Sequence, residues 1–263
     1  MLSETVLLEE KKGYVLYLTL NRPKVRNALS SELMTELAQR LGRVKEDASV
    51  RVVVLRGAGD KAFCAGGDLT AMLENSKAGI DALRKNIHQY ADVILAVHRV
   101  GKPIIAQVHG YALAGGCGLA AACDITLVSD DAVFGVPEIN IGLWGMVITA
   151  PLVRAVGPKR AMELFYTGRR FAAQEACDLG LGTRVIPRDR LEEETEALAD
   201  ELAAKSPGTL KTGREAFLLA RDMEFETSVK YLREMATLVT SLDDAQEGMA
   251  AFLEKRKPVW KDE

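Results

Sequence analysis

The stretch HGYALAGGCGLAAACD, at His109–Asp124, decides the fold. It follows a short apolar strand, PIIAQV at Pro103–Val108, and its residues Gly110–Gly116 predict a tight turn into a helix of small residues that runs through Ala122. A helix start exposes backbone N–H groups without intrahelical partners and carries the positive end of the helix dipole. Glycine lets a ligand oxygen approach those groups closely. The stretch therefore predicts a strand, a glycine turn and a helix start that can receive an anion.

The chain around this stretch alternates strands with helices. The other predicted strands are YVLYLTL (Tyr14–Leu20), RVVVLR (Arg51–Arg56) and DITLVS (Asp124–Ser129). An amphipathic helix is predicted from Ser30 to about Glu46. Such an alternation predicts an α/β fold. From Pro158 onward almost the whole sequence has helical periodicity, so the C-terminal third is predicted to be all-helical.

Composition and charge disfavour several classes of protein. The 263 residues are 48% hydrophobic. The net charge is −3 and the isoelectric point is near 5.8, so the protein has no positive electrostatic field that would attract a polyanion, and no nucleic acid partner is expected. No apolar run reaches the ~18 residues that a membrane span needs, and the charged N-terminus lacks a signal-peptide core. The four cysteines show no CxxC pair and no histidine at metal-ligand spacing. We therefore expect a cytoplasmic protein with no metal, no redox cofactor and no membrane partner.

A second glycine turn repeats the design of the first. AFCAGGDL, at Ala62–Leu69, again combines a strand end, a GG turn and a helix start. Two backbone N–H groups that converge on one carbonyl oxygen form an oxyanion hole, and loss of one such donor costs ~3–4 kcal/mol in a transition state. The alternative is that both are ordinary turns in which glycine serves only steric needs. Either turn taken alone leaves both interpretations open.

Five motifs in fixed order extend the pattern over the chain. They are NRPKVRNAL (21–29), KAFCAGGDL (61–69), GKPIIAQVHGYALAGGC (101–117), ACDITLVSDDAVFGVPEINIG (122–142) and AFLEKRKPVW (251–260). By these motifs the chain resembles the crotonase superfamily, the enoyl-CoA hydratase/isomerase family, from about Tyr14 to Trp260. The resemblance implies a spiral of ββα units with a C-terminal all-helical trimerisation region, homotrimers that commonly pair into hexamers, and acyl-CoA thioesters as substrates in fatty acid metabolism. We expect residues 1–190 to form the spiral core with the acyl-CoA site and residues 191–263 the C-terminal helical region.

The resemblance also implies a set of site residues. The amides of Gly67 and Gly115 would stabilise a thioester enolate. The implied coenzyme A channel passes Lys24, Val25, Arg26, Lys61, Ala65, Asp68 and Leu69, and Phe252 and Lys255 match residues that reach coenzyme A from a neighbouring subunit. From the residues themselves, Lys61 and Arg26 suit phosphate but also suit a solvated surface. Asp68 is a typical N-cap for the helix that follows it.

One expected carboxylate is missing from the sequence. Hydratases of the family use two glutamates; the second is present as Glu138 in FGVPEINIG, whereas the first is replaced by Gly118. Glycine carries no proton and costs ~0.5–1 kcal/mol relative to alanine within a helix. Further on, GLWGMVITAPLV places the bulky Trp144 and Met146 where small residues usually surround the water and the acyl chain. We therefore count Gly118 and Trp144 among the residues that shape the substrate site.

Three interpretations of the reaction stay open. The leading one is hydration of an enoyl-CoA with Glu138 as the sole acid/base, and the second is isomerisation, in which one group moves a proton between two carbons of the substrate. The third is decarboxylation-type enolate chemistry, or acyl-CoA binding without catalysis. Burial beside Phe134, Trp144 and Met146 predicts a raised pKa for Glu138. His109 is predicted to be structural.

Overall fold

The structure, a computed structural model, describes residues 5–261, and within them the chain forms ten strands and eleven α-helices. The strands are β1 (Leu7–Lys12), β2 (Val15–Leu20), β3 (Val52–Gly57), β4 (Ala62–Cys64), β5 (Ile104–Val108), β6 (Tyr111–Leu113), β7 (Ile125–Ser129), β8 (Val133–Gly135), β9 (Arg170–Ala172) and β10 (Arg184–Ile186). The helices are α1 (Ser31–Val44), α2 (Leu69–Ala78), α3 (Ile80–Arg99), α4 (Gly115–Ala122), α5 (Met146–Val156), α6 (Pro158–Thr167), α7 (Ala173–Leu179), α8 (Leu191–Ala203), α9 (Pro207–Ala220), α10 (Phe225–Ser241) and α11 (Asp243–Leu253). Short 3-10 helices lie at Pro23–Val25, Pro137–Ile141 and Arg188–Arg190.

Six strands form one mostly parallel sheet in the order β1-β2-β3-β5-β7-β10, in which only the β1–β2 pair is antiparallel. Its central strands are buried on both faces, as their continuous apolar runs require. Leu16 and Leu18 of β2 join a larger core that includes α1, whereas Val15 and Tyr17 join a smaller core that includes α8. The alternation of the strand therefore divides its side chains between two helical layers.

Helix α1 shows how the sequence sets these positions. The Ser30 hydroxyl accepts a hydrogen bond from the Leu33 amide (3.2 Å) and so caps the helix where the sequence predicts its start. The buried Leu33, Leu37 and Leu41 recur every four residues and face the larger core. Each buried leucine stabilises the fold by roughly 1.5–3 kcal/mol, so this face holds α1 against the sheet.

The other four strands form a second sheet in the order β4-β6-β8-β9. Its three parallel members, β4, β6 and β8, are each the short strand that directly follows a long strand of the first sheet. The chain therefore repeats a unit of long strand, short strand and helix, as β3–β4–α2, β5–β6–α4 and β7–β8–α5. This is the predicted spiral of ββα units, and it places the ends of β4, β6 and β8 side by side.

Two details of the sequence prediction are wrong. The sequence predicts one turn over Gly110–Gly116, but strand β6 forms inside it because Tyr111–Leu113 pairs with both β4 and β8. The sequence also predicts only helices after Pro158, but β9 joins β8 and β10 joins β7 as edge strands. Each of these strands is three residues long, which is too short to show a period of two.

The C-terminal helices fall into two parts. Helix α8 packs Leu191, Ala199 and Ala203 on the first sheet. Helices α9 and α11 contact one another, and α10 has no buried residue in this single chain. The division between residues 190 and 191 stays a prediction, and residues 1–4 and 262–263 of the two predicted units lie outside the described residues. Between residues 5 and 261, no helix combines the length and the apolar character that a membrane crossing needs.

Candidate active site

Both glycine turns lie at the ends of neighbouring parallel strands. Strand β4 runs into the turn Cys64–Asp68 and then α2, and β6 runs through Ala114 into α4. Because β4 and β6 pair in parallel, both turns leave the sheet at the same edge. The structure therefore brings together the two motifs that the sequence singles out.

The two turns are in direct backbone contact. Gly66 lies in the left-handed region at φ +95°, and a Cβ there would lie 2.7 Å from Ala114 Cβ and 2.9 Å from the Leu113 carbonyl oxygen. A Cβ on Gly116 would lie 2.1 Å from the Cys64 carbonyl oxygen. Since no side chain fits at either place, glycine is what allows the two helix starts to approach. The steric role of Gly66 and Gly116 therefore brings together the two turns that carry the candidate donors.

The amides of Gly67 and Gly115 are the two candidate oxyanion donors. Neither amide donates a backbone hydrogen bond within residues 5–261. For Gly115 this is expected, because it is the first residue of α4 and the first amides of a helix have no intrahelical acceptor. Leu29 forms an isolated bridge beside Gly67, in which its amide donates to the Gly66 carbonyl (2.8 Å) and its carbonyl accepts from the Asp68 amide (3.3 Å). That bridge uses the groups on either side of the Gly67 amide. Two such donors in adjoining turns can bind one carbonyl oxygen.

Ala114, the residue before α4, has a strained backbone at φ 49° and ψ −124°. A residue with a Cβ pays of order 1–3 kcal/mol for such a conformation, which persists only where the surroundings enforce it. One of the enforcing contacts is the bond that its amide donates to the Gly135 carbonyl (2.8 Å). The turn before α4 is therefore held in a shape that it would not adopt alone.

Glu138 is the acid/base candidate. It lies on the 3-10 helix Pro137–Ile141, which follows β8, and its side chain is half-buried. Oε2 is buried and has no hydrogen-bond partner within the described residues. Burial raises the pKa of Glu138 above its ordinary value of 4.5, as predicted. A buried carboxyl group with a raised pKa is a candidate for proton transfer to and from a substrate.

The three residues predicted to bury Glu138 differ in their own exposure. Phe134 is fully buried, and the ring of Trp144 stacks on a neighbouring phenylalanine at 5.0 Å between centroids. Met146 is 73% exposed and does not supply the burial, so this part of the prediction is wrong. Met146 begins α5 on its outer side, whereas Ile148, two residues on, is 2% exposed. A contact of Trp144 with substrate stays a prediction.

The space beside Gly118 is filled by Ile148 and Tyr90. A Cβ at position 118 would lie 2.2 Å from Ile148 Cγ2, 2.5 Å from Ile148 Cβ and 2.9 Å from the Tyr90 hydroxyl oxygen. At Gly145, a Cβ would lie 2.7 Å from Ile148 Cδ1 and 3.0 Å from Glu138 Oε1. Ile148 therefore extends from Gly118 toward the start of α5 beside Glu138. An apolar side chain occupies the place where a side chain at position 118 would begin.

Three of the predicted channel residues meet around Tyr111. The Ala65 amide donates to the Arg26 carbonyl (3.0 Å), the Tyr111 amide donates to the Lys61 carbonyl (3.1 Å), and the Arg26 guanidinium lies over the Tyr111 ring at 5.2 Å. The members of the predicted channel with exposed side chains are Lys24, Val25, Arg26, Lys61 and Leu69. These residues are available to a ligand, and their contact with coenzyme A stays a prediction.

Asp68 has the structural role that the sequence favours. Its carboxylate accepts from the Ala71 amide (3.3 Å) and caps α2, and it pairs with Arg22 at 3.0 Å. Burial alone would raise the pKa of Asp68, but the bonds from Arg22 and from the Ala71 amide leave it lowered. The N-cap is confirmed, and a direct contact with substrate stays a prediction.

His109 and the C-terminal candidates lie apart from this chemistry. His109 is buried, and burial followed by the nearby Arg188 charge lowers its pKa to about 4, so the imidazole is neutral at physiological pH. Phe252 is 83% exposed at the end of α11, whose main contacts are with α9 and α10, and Lys255 follows it at the surface. Their predicted approach to a neighbouring subunit's substrate stays a prediction.

Two residues that shape the site escape the sequence analysis. Tyr90 on α3 donates its hydroxyl hydrogen to the Gly115 carbonyl (2.7 Å) from 25 residues away, and it belongs to no motif. Ile148 lies in the bulky segment that follows Glu138, where the sequence pattern indicates Met146 instead. Only the phase of α5, which the start of the helix sets, distinguishes the inward residue from the outward one.

The fold and the site define an α/β enzyme of the crotonase class. It has a ββα spiral, two adjoining helix starts with backbone donors, and one buried carboxyl group near them. Within residues 5–261 no group of three or more His, Cys, Asp or Glu side chains is placed to hold a metal ion.

The chain belongs to the enoyl-CoA hydratase/isomerase family, whose sequence profile matches residues 10–263. It is 39% identical over 253 residues to the "probable enoyl-CoA hydratase, mitochondrial" of Dictyostelium discoideum, covering 95% of this chain and 89% of that protein. It is 34% identical over 254 residues to the short-chain-enoyl-CoA hydratase of Clostridium acetobutylicum, covering 94% of each. The structure of an enoyl-CoA hydratase from Bacillus anthracis matches with a TM-score of 0.93 at 34% identity, over 98% of this chain and 100% of that one. The predicted family and fold class are confirmed.

Proposed function

We propose that the protein hydrates an enoyl-CoA thioester, with Glu138 as the only acid/base and the Gly67 and Gly115 amides as the oxyanion hole. The observation that carries the proposal is the buried Glu138 Oε2, which has no hydrogen-bond partner within residues 5–261. Glu138 lies on the 3-10 helix that follows β8, and β8 pairs with β6, the strand that leads into the second turn. A buried carboxyl group without a partner is costly to fold and is explained by a role toward a ligand. The relatives named above as enoyl-CoA hydratases support the substrate class.

The proposed mechanism needs one proton-carrying group. The Glu138 carboxylate takes a proton from water as the water oxygen bonds to the β-carbon of the enoyl thioester. The electron pair moves to the thioester oxygen, where the Gly67 and Gly115 amides stabilise the enolate. Glu138 then returns the proton to the α-carbon, which completes the addition of water. A raised pKa suits both steps, because it makes the carboxylate a better base while the acid remains able to donate.

Isomerisation of the double bond is the second candidate, and Ile148 favours it. Ile148 fills the space beside Gly118 with an apolar side chain, so no protein group at that position holds water. In a 3-enoyl-CoA, a shift of the double bond removes a proton from the α-carbon and returns it to the γ-carbon, which Glu138 alone can perform without water. The same oxyanion hole stabilises the dienolate. The two candidates differ in the substrate that turns over and in whether water is a reactant.

The same proposal includes the surroundings of the reaction. Coenzyme A enters as part of the substrate along Lys24, Val25, Arg26, Lys61, Ala65, Asp68 and Leu69, and each proposed step uses only the groups of this chain and its substrate. The four cysteines are unpaired, and Cys64 and Cys117 are buried. Unpaired thiols suit a reducing compartment, so we propose the cytoplasm as the location.

Acyl-CoA thioesters are expected to bind even where they do not react, because the donors for the thioester oxygen are backbone amides. Calorimetric titration with butyryl-CoA is expected to show binding, and butyryl-pantetheine, which lacks the nucleotide phosphates, is expected to bind more weakly because Arg26 and Lys61 lose their partners. Assays with crotonyl-CoA and with a 3-enoyl-CoA then separate hydration from isomerisation. Absence of binding at millimolar thioester would refute the proposal, and binding without turnover of either substrate would refute its catalytic part.

The C-terminal helices are expected to assemble the chain into a homotrimer or a dimer of trimers. Phe217, Phe225 and Phe252 are 64%, 78% and 83% exposed, and burial of such surfaces is favourable. Light scattering at micromolar protein is expected to give three or six times the chain mass of 28.6 kDa. Phe225→Asp is expected to lower that mass, whereas Lys230→Asp, on the exposed and already charged side of α10, is not. A wild-type mass of one chain would contradict this assembly and the proposed roles of Phe252 and Lys255.

A further inference from the structure

Tyr90 reaches the start of α4 from a different part of the fold. Its hydroxyl donates to the Gly115 carbonyl at 2.7 Å. A Cβ on Gly115 would lie 3.4 Å from the Tyr90 ring carbons Cε2 and Cζ and 3.5 Å from Leu29 Cδ1. The Tyr90 hydroxyl oxygen would also lie 2.9 Å from a Cβ on Gly118. One side chain therefore covers the first turn of the helix whose first amide is the candidate oxyanion donor.

Helix α3, which carries Tyr90, is held in place by its own packing and hydrogen bonds. Val93 and Val97 of α3 are fully buried in the larger core. Gln89, next to Tyr90, accepts from the Ser31 hydroxyl (2.9 Å) and donates to Thr35 Oγ1 (3.0 Å) on α1. The phenol therefore approaches α4 from a position that the core and two polar contacts define.

The turn that Tyr90 contacts has a flexible backbone whose conformation must be fixed by contacts from elsewhere. Gly115 and Gly116 are consecutive glycines, which have the largest backbone freedom of any residues, and the strained Ala114 precedes them. Nothing in their own side chains fixes the direction of the Gly115 N–H. A bond to the carbonyl of the same residue restricts its ψ and the peptide plane that follows, and thereby the position of the whole residue.

The phenol keeps its proton under the conditions in which such an enzyme works. Burial, followed by the nearby Cys64, Cys117 and Glu138, raises the pKa of Tyr90 well above 10. The hydroxyl is therefore a donor to the Gly115 carbonyl throughout the neutral range. The same oxygen lies 2.9 Å from the Cβ position of Gly118, a residue that carries no carboxylate.

We propose that Tyr90 is a positioning residue that orients the Gly115 amide toward the thioester oxygen of a bound acyl-CoA. The inference rests on the proposed function, because it assigns Gly115 as an oxyanion donor. Preorganised donors stabilise a transition state because they need no reorientation during the reaction. Loss of the Tyr90 hydroxyl should therefore weaken the polarisation of the thioester carbonyl while leaving the binding of the coenzyme A portion intact.

The test uses the absorption of a bound dienoyl-CoA, whose maximum moves to longer wavelength when the thioester carbonyl is polarised. Wild type is expected to show this red shift, and Tyr90→Phe is expected to lose most of it and to lower kcat roughly tenfold with little change in KM. Replacement of Tyr90 by 4-aminophenylalanine, which restores a donor at the same position, is expected to recover part of both. Tyr17→Phe is the matched control, since the Tyr17 hydroxyl is buried without a hydrogen-bond partner in the described residues and lies on β2.

The outcomes separate the inference from the function on which it rests. Absence of a red shift in wild type with bound dienoyl-CoA would overturn the proposed oxyanion hole itself. A red shift in wild type that Tyr90→Phe retains in full would overturn the role of Tyr90 alone. If Tyr90→Phe does not fold, the 4-aminophenylalanine variant decides the question, because its weaker donor must give a shift smaller than that of wild type. An equal shift in that variant would also overturn the role.

Discussion

Glu138→Gln is expected to lower the turnover of the preferred enoyl-CoA by ~10²–10⁴-fold while the binding of butyryl-CoA changes little. A positioned acid/base contributes about this factor, and here no second carboxyl group is proposed to replace it. The amide cannot take a proton from water or from carbon, but it has nearly the shape of the carboxyl group. Steady-state kinetics and calorimetry on the same preparations check the two halves of the expectation. Turnover unchanged by the substitution would end the single-glutamate mechanism.

The matched control is Glu201→Gln, since the Glu201 side chain is 65% exposed on α8, where it pairs with Lys205 at 3.4 Å. The same change of charge there is expected to leave turnover and binding unchanged.

The wild-type pH profile adds a second check. The first step requires the Glu138 carboxylate, so activity is expected to fall on the acid side, and the raised pKa places that fall above pH 4.5. The acid limb is expected to disappear from the residual activity of Glu138→Gln.

The stability of Glu138→Gln follows from the same pKa. Because the folded-state pKa of Glu138 is raised, the contribution of this group to stability is complete below pH 4.5 and is lost as the pH rises through the folded-state value. Above the folded-state pKa the wild type therefore carries a partly buried charge that glutamine lacks. The free energy of unfolding of the variant is expected to equal or exceed that of wild type, so lost activity does not reflect lost folding.

The sequence predicts those parts of the fold and site that depend on local rules. Gly66 and Gly116 are in their motifs because backbone from another strand occupies the place of a side chain. The cap at Ser30 and the cap at Asp68 are also visible from the residues that follow them. The glycine pairs and the capping residues are therefore recognisable in the sequence, although the contacts that require Gly66 and Gly116 are seen only in the structure.

The remainder of the site depends on contacts between distant segments. Tyr90 and Gly115 are 25 residues apart, and nothing in an ordinary amphipathic helix marks Tyr90 as the residue that reaches the turn. Met146 and Ile148 are both apolar residues of one helix, and only the packing of α5 on α4 turns Ile148 inward. For the same reason the sequence shows only that Gly118 replaces a carboxylate. The structure shows in addition that the Ile148 side chain fills the space beside Gly118.

Gly118→Ala is expected to destabilise the fold, although alanine is the better helix residue. Its Cβ would lie 2.2 Å from Ile148 Cγ2 and 2.5 Å from Ile148 Cβ, and the branched Cβ of a core isoleucine cannot rotate away. Overpacking of this kind costs about 1–3 kcal/mol in the free energy of unfolding. Gly42→Ala is the matched control, since Gly42 lies within α1 with nothing within 4 Å of its Cβ position, and is expected to stabilise by ~0.5–1 kcal/mol. Denaturant unfolding of both variants measures the contrast, and a stabilising Gly118→Ala would contradict the filled space.

Gly118→Glu extends this argument from packing to function. A glutamate at this position meets the same clash and in addition brings a charge into an apolar contact, so it is expected to fold less stably than Gly118→Ala and to gain no crotonyl-CoA hydration. Adding Ile148→Ala removes Cγ2, the nearest atom, but keeps the Cβ that lies 2.5 Å from the Cβ position of residue 118. The double variant is therefore expected to regain part of the lost stability, and more than the sum of the single effects, because the two residues are in contact. If Gly118→Glu alone folds as well as wild type and hydrates crotonyl-CoA faster, the glycine is a simple loss from a two-glutamate hydratase. If hydration rises only in the double variant, Ile148 is the residue that commits this site to a single carboxylate, because its side chain occupies the space that a second one would need.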